Sequence, residues 1–281
     1  MRRVTAPVRI DISGGWPDSD PYRRDYGGAV LNATINLRVS AELKAPNLVT
    51  SLENVPPSSG LGTSGALRAC YLVASNNKLI ENKASLIHKV HRFENEILEQ
   101  RAGFQDEAAA IYGGVNYWEF SPEGNITRIP ISKERTKYLE NKLVLVYTGE
   151  NHLSPNIHDN VFGTGNYEGN ILKLNRMKEI AREMFQRVDD PDSMPELIRE
   201  TWKLQRSLDD SIETDTMRML QEELSGGYSA CRTTGAGGGG CMIFYTDNKE
   251  SLIKKMSKIS EKFPRLRVIP FKFDYGGIRI E

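Results

Sequence analysis

The run Pro56-Pro-Ser-Ser-Gly-Leu-Gly-Thr-Ser-Gly-Ala66 has the composition of an anion cradle. Glycines at 60 and 62 let backbone amides crowd around a ligand, and the apolar residues Leu67, Ala69, Cys70, Leu72, Val73 and Ala74 predict a helix that starts there. The first amides of a helix have no internal partners and carry roughly half a positive charge, so a polyphosphate is the natural guest. The hydroxyls of Ser58, Ser59, Thr63 and Ser64 add donors or a metal ligand. No lysine follows the last glycine, which excludes the P-loop pattern. A plain turn before a buried helix accounts for the same residues, so the phosphate reading needs support from elsewhere in the chain.

Three other features supply it. Glu94 is followed twelve residues later by Asp106, and hard carboxylate oxygens suit Mg²⁺ or can receive the proton of an acceptor hydroxyl. Thr233-Thr-Gly-Ala-Gly-Gly-Gly-Gly240 costs backbone entropy that is tolerated where main chain must approach something closely, either a ligand or the first glycine loop. Arg9 to Asp18 places an arginine and two acids, Asp11 and Asp18, around a Gly-Gly-Trp turn. Aspartate there can hold sugar hydroxyls, Trp16 can offer an apolar face, and Arg9 can hold a phosphate or carboxylate. A turn-forming Asp18 and a core Trp16 are the alternatives.

These residues need rigid elements behind them. Alternation predicts strands over Arg3–Ile12 and Ala29–Leu43, the second half-buried, and a further strand over Val115–Phe120. Helical spacing predicts a helix over Lys83–Gln100 with Glu94 on its charged face, and another from Gln105 to the Gly113-Gly114 stop. Lys142–Thr148 is a nearly continuous apolar run, as in a strand buried on both faces, and it opens a second lobe. Gly149–Gly169 reads as a long loop able to close over a ligand. Helices come next near 171–188, 194–208, 214–224 and 249–262, with strands at Cys241–Tyr245 and Leu266–Phe273.

With 281 residues, 37 basic and 37 acidic, the chain can build a substantial core and has no global field to draw nucleic acid or a membrane surface. The N-terminal Met-Arg-Arg-Val-Thr-Ala-Pro has no apolar core of the signal-peptide kind, and no apolar run approaches the twenty or so residues of a membrane span, so a cytoplasmic protein with small-molecule partners is expected. Cys70, Cys231 and Cys241 form no CxxC pair, and His88, His91, His152 and His158 are too scattered for a zinc site.

Pro57 to Ala66 resembles the second motif of the GHMP kinases, the family of galactokinase, homoserine kinase, mevalonate kinase and phosphomevalonate kinase. Thr234–Gly240 resembles their third motif and Ala6–Asp18 their first, in the same order and with Gly103-Phe-Gln-Asp-Glu-Ala-Ala-Ala between. The Gly-Gly-Trp-x-Asp form and the Gln105-Asp106 helix start are similar to the L-fucokinase and D-glycero-D-manno-heptose 7-phosphate kinase branch, whose members phosphorylate an anomeric hydroxyl. The resemblance implies an α+β, two-lobed GHMP kinase fold. Residues 1–140 would form a ribosomal-protein-like α/β lobe that binds ATP and phosphate, residues 141–281 a ferredoxin-like lobe, and the active site would lie between them.

Carried over to this chain, the resemblance makes Asp106 the catalytic base, assisted by Arg9. Ser64 and Glu94 become Mg²⁺ ligands, and Pro57, Ser58, Ser59, Gly60, Leu61, Gly62, Thr63, Ser64 and Gly65 the ATP-phosphate cradle. Trp16, Asp18, Gly237 and Gly238 would contact the sugar or sugar-phosphate acceptor. Two departures stand out: Glu107 replaces the family's Gln after the base, and the segment between Leu43 and Pro57 is short, which leaves nucleotide-base preference open. A mevalonate-type small-alcohol kinase, a non-catalytic ligand-binding member and a homodimeric assembly remain open.

Overall fold

Alternating apolar residues in the N-terminal stretch become two long antiparallel strands, β1 (Arg3–Ser13) and β2 (Gly28–Lys44), separated by the short helix α1 (Tyr22–Tyr26). The structure is a computed structural model that describes residues 3–44, 47–98, 102–151 and 155–281; Gln100, the expected end of one helix, and His152 lie outside them. After β2 come β3 (Asn47–Ser51), α2 (Thr63–Ser75), α3 (Lys83–Arg92), α4 (Gln105–Tyr112), β4 (Val115–Phe120), β5 (Ile126–Ile131) and α5 (Lys133–Lys142). The chain continues through β6 (Leu143–Tyr147), α6 (Pro155–Phe162), α7 (Tyr167–Gln186), α8 (Met194–Arg206) and α9 (Asp215–Glu223). It ends with β7 (Ala230–Thr233), β8 (Cys241–Tyr245), α10 (Lys249–Lys262), β9 (Arg267–Ile269) and β10 (Arg279–Ile280). Among the described residues these strands form two antiparallel sheets, one ordered β10-β1-β2-β4-β5 with β3 paired to β2, the other β7-β8-β6-β9. The α+β expectation is met.

β2 is more deeply placed than its alternation suggests, with both faces buried from Gly28 to Ile35. Helices α2 and α4 pack on β1 and β2, and α7 packs against β2 as well, so the strand has helices on both faces. Its inward polar residues are bonded: Trp118 Nε1 donates to Asn32 Oδ1 at 3.0 Å, and Gly114 N donates to Thr34 Oγ1 at 2.7 Å. That satisfies groups whose burial would otherwise be costly.

The helix expected over Lys83–Gln100 keeps its α register only to Arg92. Phe93–Ile97 is a π-helical turn, closed by Leu98 N donating to Phe93 O at 3.1 Å. The extra residue in this turn rotates the side chains off the regular helical stripe. Glu94, expected on the charged outer face, is thereby buried at 2 % exposure, while Ile97, expected inside, is 65 % exposed.

The stretch 149–169 is not one loop, because α6 occupies its middle and α7 begins before it ends. Strands β3, β5 and β7 and helix α5 had no clear sequence signal. In α5 only Thr136 and Leu139 are buried, so no apolar stripe announces it. No helix among the described residues is long and apolar enough to cross a membrane, and all three cysteines are buried free thiols.

The segment after β9 is held to the first sheet by a buried cation. Arg38 pairs with Asp274 and donates from Nη2 to Gly277 O at 2.6 Å and Thr5 O at 3.2 Å. Asp274→Ala removes the counter-charge and leaves a buried guanidinium, so urea unfolding should show a loss of about 3 kcal/mol.

Candidate active site

The cradle is a sharp turn with a bare helix end. Ser58, Gly60 and Gly62 all have positive φ, and Gly62 sits at the N-cap of α2, where no side chain caps the helix and no acidic residue occupies the first turn. Uncapped amides and the helix dipole favour an anion. Two hydroxyls of the turn, Ser59 Oγ and Thr63 Oγ1, are buried without a hydrogen-bond partner, which leaves donors for a ligand's oxygens. The turn leans on the second glycine run, as Cys241 N donates to Ser59 O at 2.8 Å. Tight packing of the two loops, one of the two readings of the glycine run, is what the structure contains.

Beside the cradle lies a line of alternating buried charges. Arg9 on β1 directs Nε and Nη2 to Asp106 Oδ1 at 2.8 and 2.6 Å and Nη1 to Gly60 O at 2.6 Å. Asp11 Oδ1 is 3.7 Å from Arg9 Nη1 and accepts from Gly235 N at 2.8 Å. Asp11 Oδ2 accepts from Arg232 Nη2 at 3.0 Å, and the same Nη2 reaches Gly14 O and Gln205 Oε1. Burial disfavours the charge on Arg9, but Asp106 and Asp11 outweigh it and raise the pKa; on Arg232 burial dominates and lowers it. Both Arg9 donors fall on one oxygen of Asp106, whose side chain keeps 27 % exposure, so Oδ2 is outside that pairing.

α2 and α4 can bring these groups together because Gly62 and Gly65 carry no side chain. A Cβ on Gly62 would stand 3.1 Å from Arg9 and Asp106 in a left-handed backbone, and one on Gly65 would lie 2.9 Å from Asp106 Cβ. The contact between the two helix N-termini depends on that closeness.

Behind Asp106 is an acidic group with little compensation. Burial first, and Glu107 second, push the Glu94 carboxyl up to about 8 although Arg68 opposes this. Burial also holds the Glu107 carboxyl well above the ordinary range, while it lowers His91, whose Nδ1 is 3.3 Å from Glu107 Oε1. Both shifts disfavour charge on that pair. Glu94 Oε1 is 3.1 Å from Arg68 Nη1, whereas its Oε2 is buried without a hydrogen-bond partner, and Arg68 Nη1 also bonds Ser64 Oγ. The orphan oxygen and the neighbouring hydroxyl fit a hard divalent cation. Among the described residues no group of three His, Cys, Asp or Glu side chains could hold a metal alone, so such a cation needs oxygens from a ligand or water as well.

Asp18 is fully enclosed, accepting from Gln105 N at 3.1 Å and Gln105 Nε2 at 3.4 Å. Burial raises its carboxyl to about 7 against the opposing Gln105 amide. Trp16 is fully buried, its ring centroid 4.8 Å from His158 and 5.6 Å from Phe162. Gly237 and Gly238 pack on Ile212 and Ile157, with Gly238 N donating to Ile212 O at 2.9 Å. Arg23 is buried and engaged by Asp20 at 2.6 Å and Pro122 O at 2.9 Å; Arg24 is exposed and pairs with Asp20. Sequence reasoning missed Arg232, Gln205 and Arg68. A lone arginine in the short Ala-Cys-Arg-Thr strand, directly before a glycine run, was the available signal for the first.

Residues 29–114 match the GHMP kinases N terminal domain. That segment is a GHMP kinase N-terminal domain, and over most of its length the chain is similar to kinases that carry this domain. Among its curated relatives, the bifunctional fucokinase/GDP-fucose pyrophosphorylase of Arabidopsis thaliana is 23% identical over 92% of this chain, which spans 31% of that relative's length. The D-glycero-alpha-D-manno-heptose 7-phosphate kinase of Campylobacter jejuni is 24% identical over 91% of this chain and 93% of its own. A crystal structure of a D-glycero-D-manno-heptose 1-phosphate kinase from Bacteriodes thetaiotaomicron superposes with a TM-score of 0.77 at 20% identity, covering 100% of this chain and 99% of the other.

The raised Asp18 has a consequence for stability. The folded state holds the proton to about pH 7, the unfolded chain only to about 4, so stability is highest below pH 4 on this account, falls as pH rises between those values and is flat above. Asp18→Asn has no such proton, and urea unfolding should show the variant gaining about 2–3 kcal/mol on wild type between pH 5 and 8.

Proposed function

We propose that the protein is an ATP- and Mg²⁺-dependent phosphotransferase that places the γ-phosphoryl group on a hydroxyl of a sugar or sugar phosphate, at the anomeric position. The observation that carries this reading is the Arg9–Asp106 pair, at 2.6 Å, set beside an uncapped helix N-terminus with unpartnered hydroxyls. A carboxylate next to a phosphate cradle is what acceptor activation requires. The two lobes of the proposal are residues 1–140 and 141–281, with the site where their glycine loops meet, and the expected setting is the cytoplasm.

Pro57 to Gly65 would hold the polyphosphate through backbone amides and the Ser59 and Thr63 hydroxyls, with Ser58 and Leu61 completing the turn. The acceptor hydroxyl gives its proton to Asp106 Oδ2 as its oxygen bonds phosphorus and the bond to the leaving diphosphate breaks. Arg9 keeps Asp106 in place. Ser64 and Glu94 would hold Mg²⁺, which when bound neutralises phosphate charge. Asp18, the sequence candidate for sugar hydroxyls, is fully enclosed and held by Gln105, and would support the start of α4 from behind the sugar pocket. Trp16 and Gly237–Gly238 are assigned the shaping of the pocket from behind, because their packing is already internal.

A mevalonate-type acceptor is the second reading, favoured by the mevalonate kinase of Thermococcus sibiricus, 26% identical over 92% of this chain. A panel of L-fucose, D-glycero-D-manno-heptose 7-phosphate and mevalonate, read by acceptor-dependent ADP release, separates the two. With whichever acceptor works, Asp106→Asn should lower turnover roughly 10²- to 10⁴-fold while nucleotide affinity stays within a factor of about two. Unchanged turnover removes Asp106 as the base.

A further inference from the structure

Arg68 stands one turn into α2, four residues beyond Ser64, and its Nη1 meets both protein oxygens assigned to a divalent cation. It bonds Ser64 Oγ and lies 3.1 Å from Glu94 Oε1. The guanidinium side chain is only 17 % exposed and Glu94 is 3 %, so the contact is shielded from solvent and salt. Glu94 lies inside at all because of the π-helical turn at Phe93–Ile97, and Arg68 is the arginine facing it across α2. A compact cation and a guanidinium cannot both sit against this carboxylate without strong mutual repulsion.

We propose that Arg68 is the resident cation of this site: it keeps Ser64 and Glu94 closed to a free divalent ion, so that the metal enters only as its nucleotide complex, whose phosphates draw the guanidinium aside. The inference rests on the phosphotransferase reading for the identity of the incoming complex, but its first half needs no nucleotide. An arginine suits the handover, since its planar fork can exchange a carboxylate for phosphate oxygens without losing its charge.

The probe is Mn²⁺ alone, followed by electron paramagnetic resonance with the full chain and no nucleotide. Wild type and Arg68→Lys should leave the aquo-ion signal nearly intact, because both keep a cation at the site. Arg68→Gln and the bulkier Arg68→Met should gain one site that binds Mn²⁺ at least about tenfold more tightly than wild type, and adding Glu94→Gln should abolish the gain. Thermal melts identify which neutral variant is folded. Equal Mn²⁺ binding by wild type and the folded neutral variants overturns the proposal, as does tight binding by wild type. A wild type that releases no ADP with any acceptor overturns the kinase reading while leaving the Mn²⁺ comparison standing, so the two failures are distinct.

Discussion

The structure turns on a row of buried charges that crosses from one sheet to the other: Arg232 on β7, Asp11 and Arg9 on β1, and Asp106 at the start of α4. None of the inner three could be kept alone, since an uncompensated buried charge costs several kcal/mol. Each is held by its neighbours and by main chain: Gly235 N on Asp11, Gly60 O on Arg9, Gly14 O on Arg232. These backbone contacts are the glycine turns themselves. The charge row therefore fixes the two glycine loops and the Asp106 carboxylate at the same time.

The surrounding acids obey a different logic. Glu94, Glu107 and Asp18 are enclosed with few hydrogen bonds, and burial pushes each toward its neutral form. Asp106 takes two donors of Arg9 on one oxygen and keeps an exposed edge. Environment thus separates carboxyl groups that share one corner of the fold.

What could be read in the sequence was whatever has local spacing. The anion-cradle glycines, the strand that carries Arg9 and the helix start at Gln105 are each legible within a dozen residues, and the structure brings Arg9, Gly60, Gly62 and Asp106 into contact. Arg232 was not legible, because its partner Asp11 is 221 residues away. Glu94 was placed on the wrong face because a regular 3.6-residue period cannot anticipate a π-turn, and the same turn explains exposed Ile97. Helix α5 and strand β5 were missed for want of an apolar stripe, and α6 was hidden in a stretch rich in Gly and Asn. The half-buried reading of β2 failed for a tertiary reason, as helices cover both of its faces.

The central claim is that this arrangement transfers a phosphoryl group to an anomeric hydroxyl. It is tested most directly by phosphorus-31 NMR of the wild-type protein with ATP, Mg²⁺ and the sugar acceptors. The account predicts a new phosphomonoester signal coupled to the anomeric proton, appearing in step with ADP. Phosphate on any other carbon would contradict the anomeric assignment, and only inorganic phosphate, or no change, would contradict the claim as a whole.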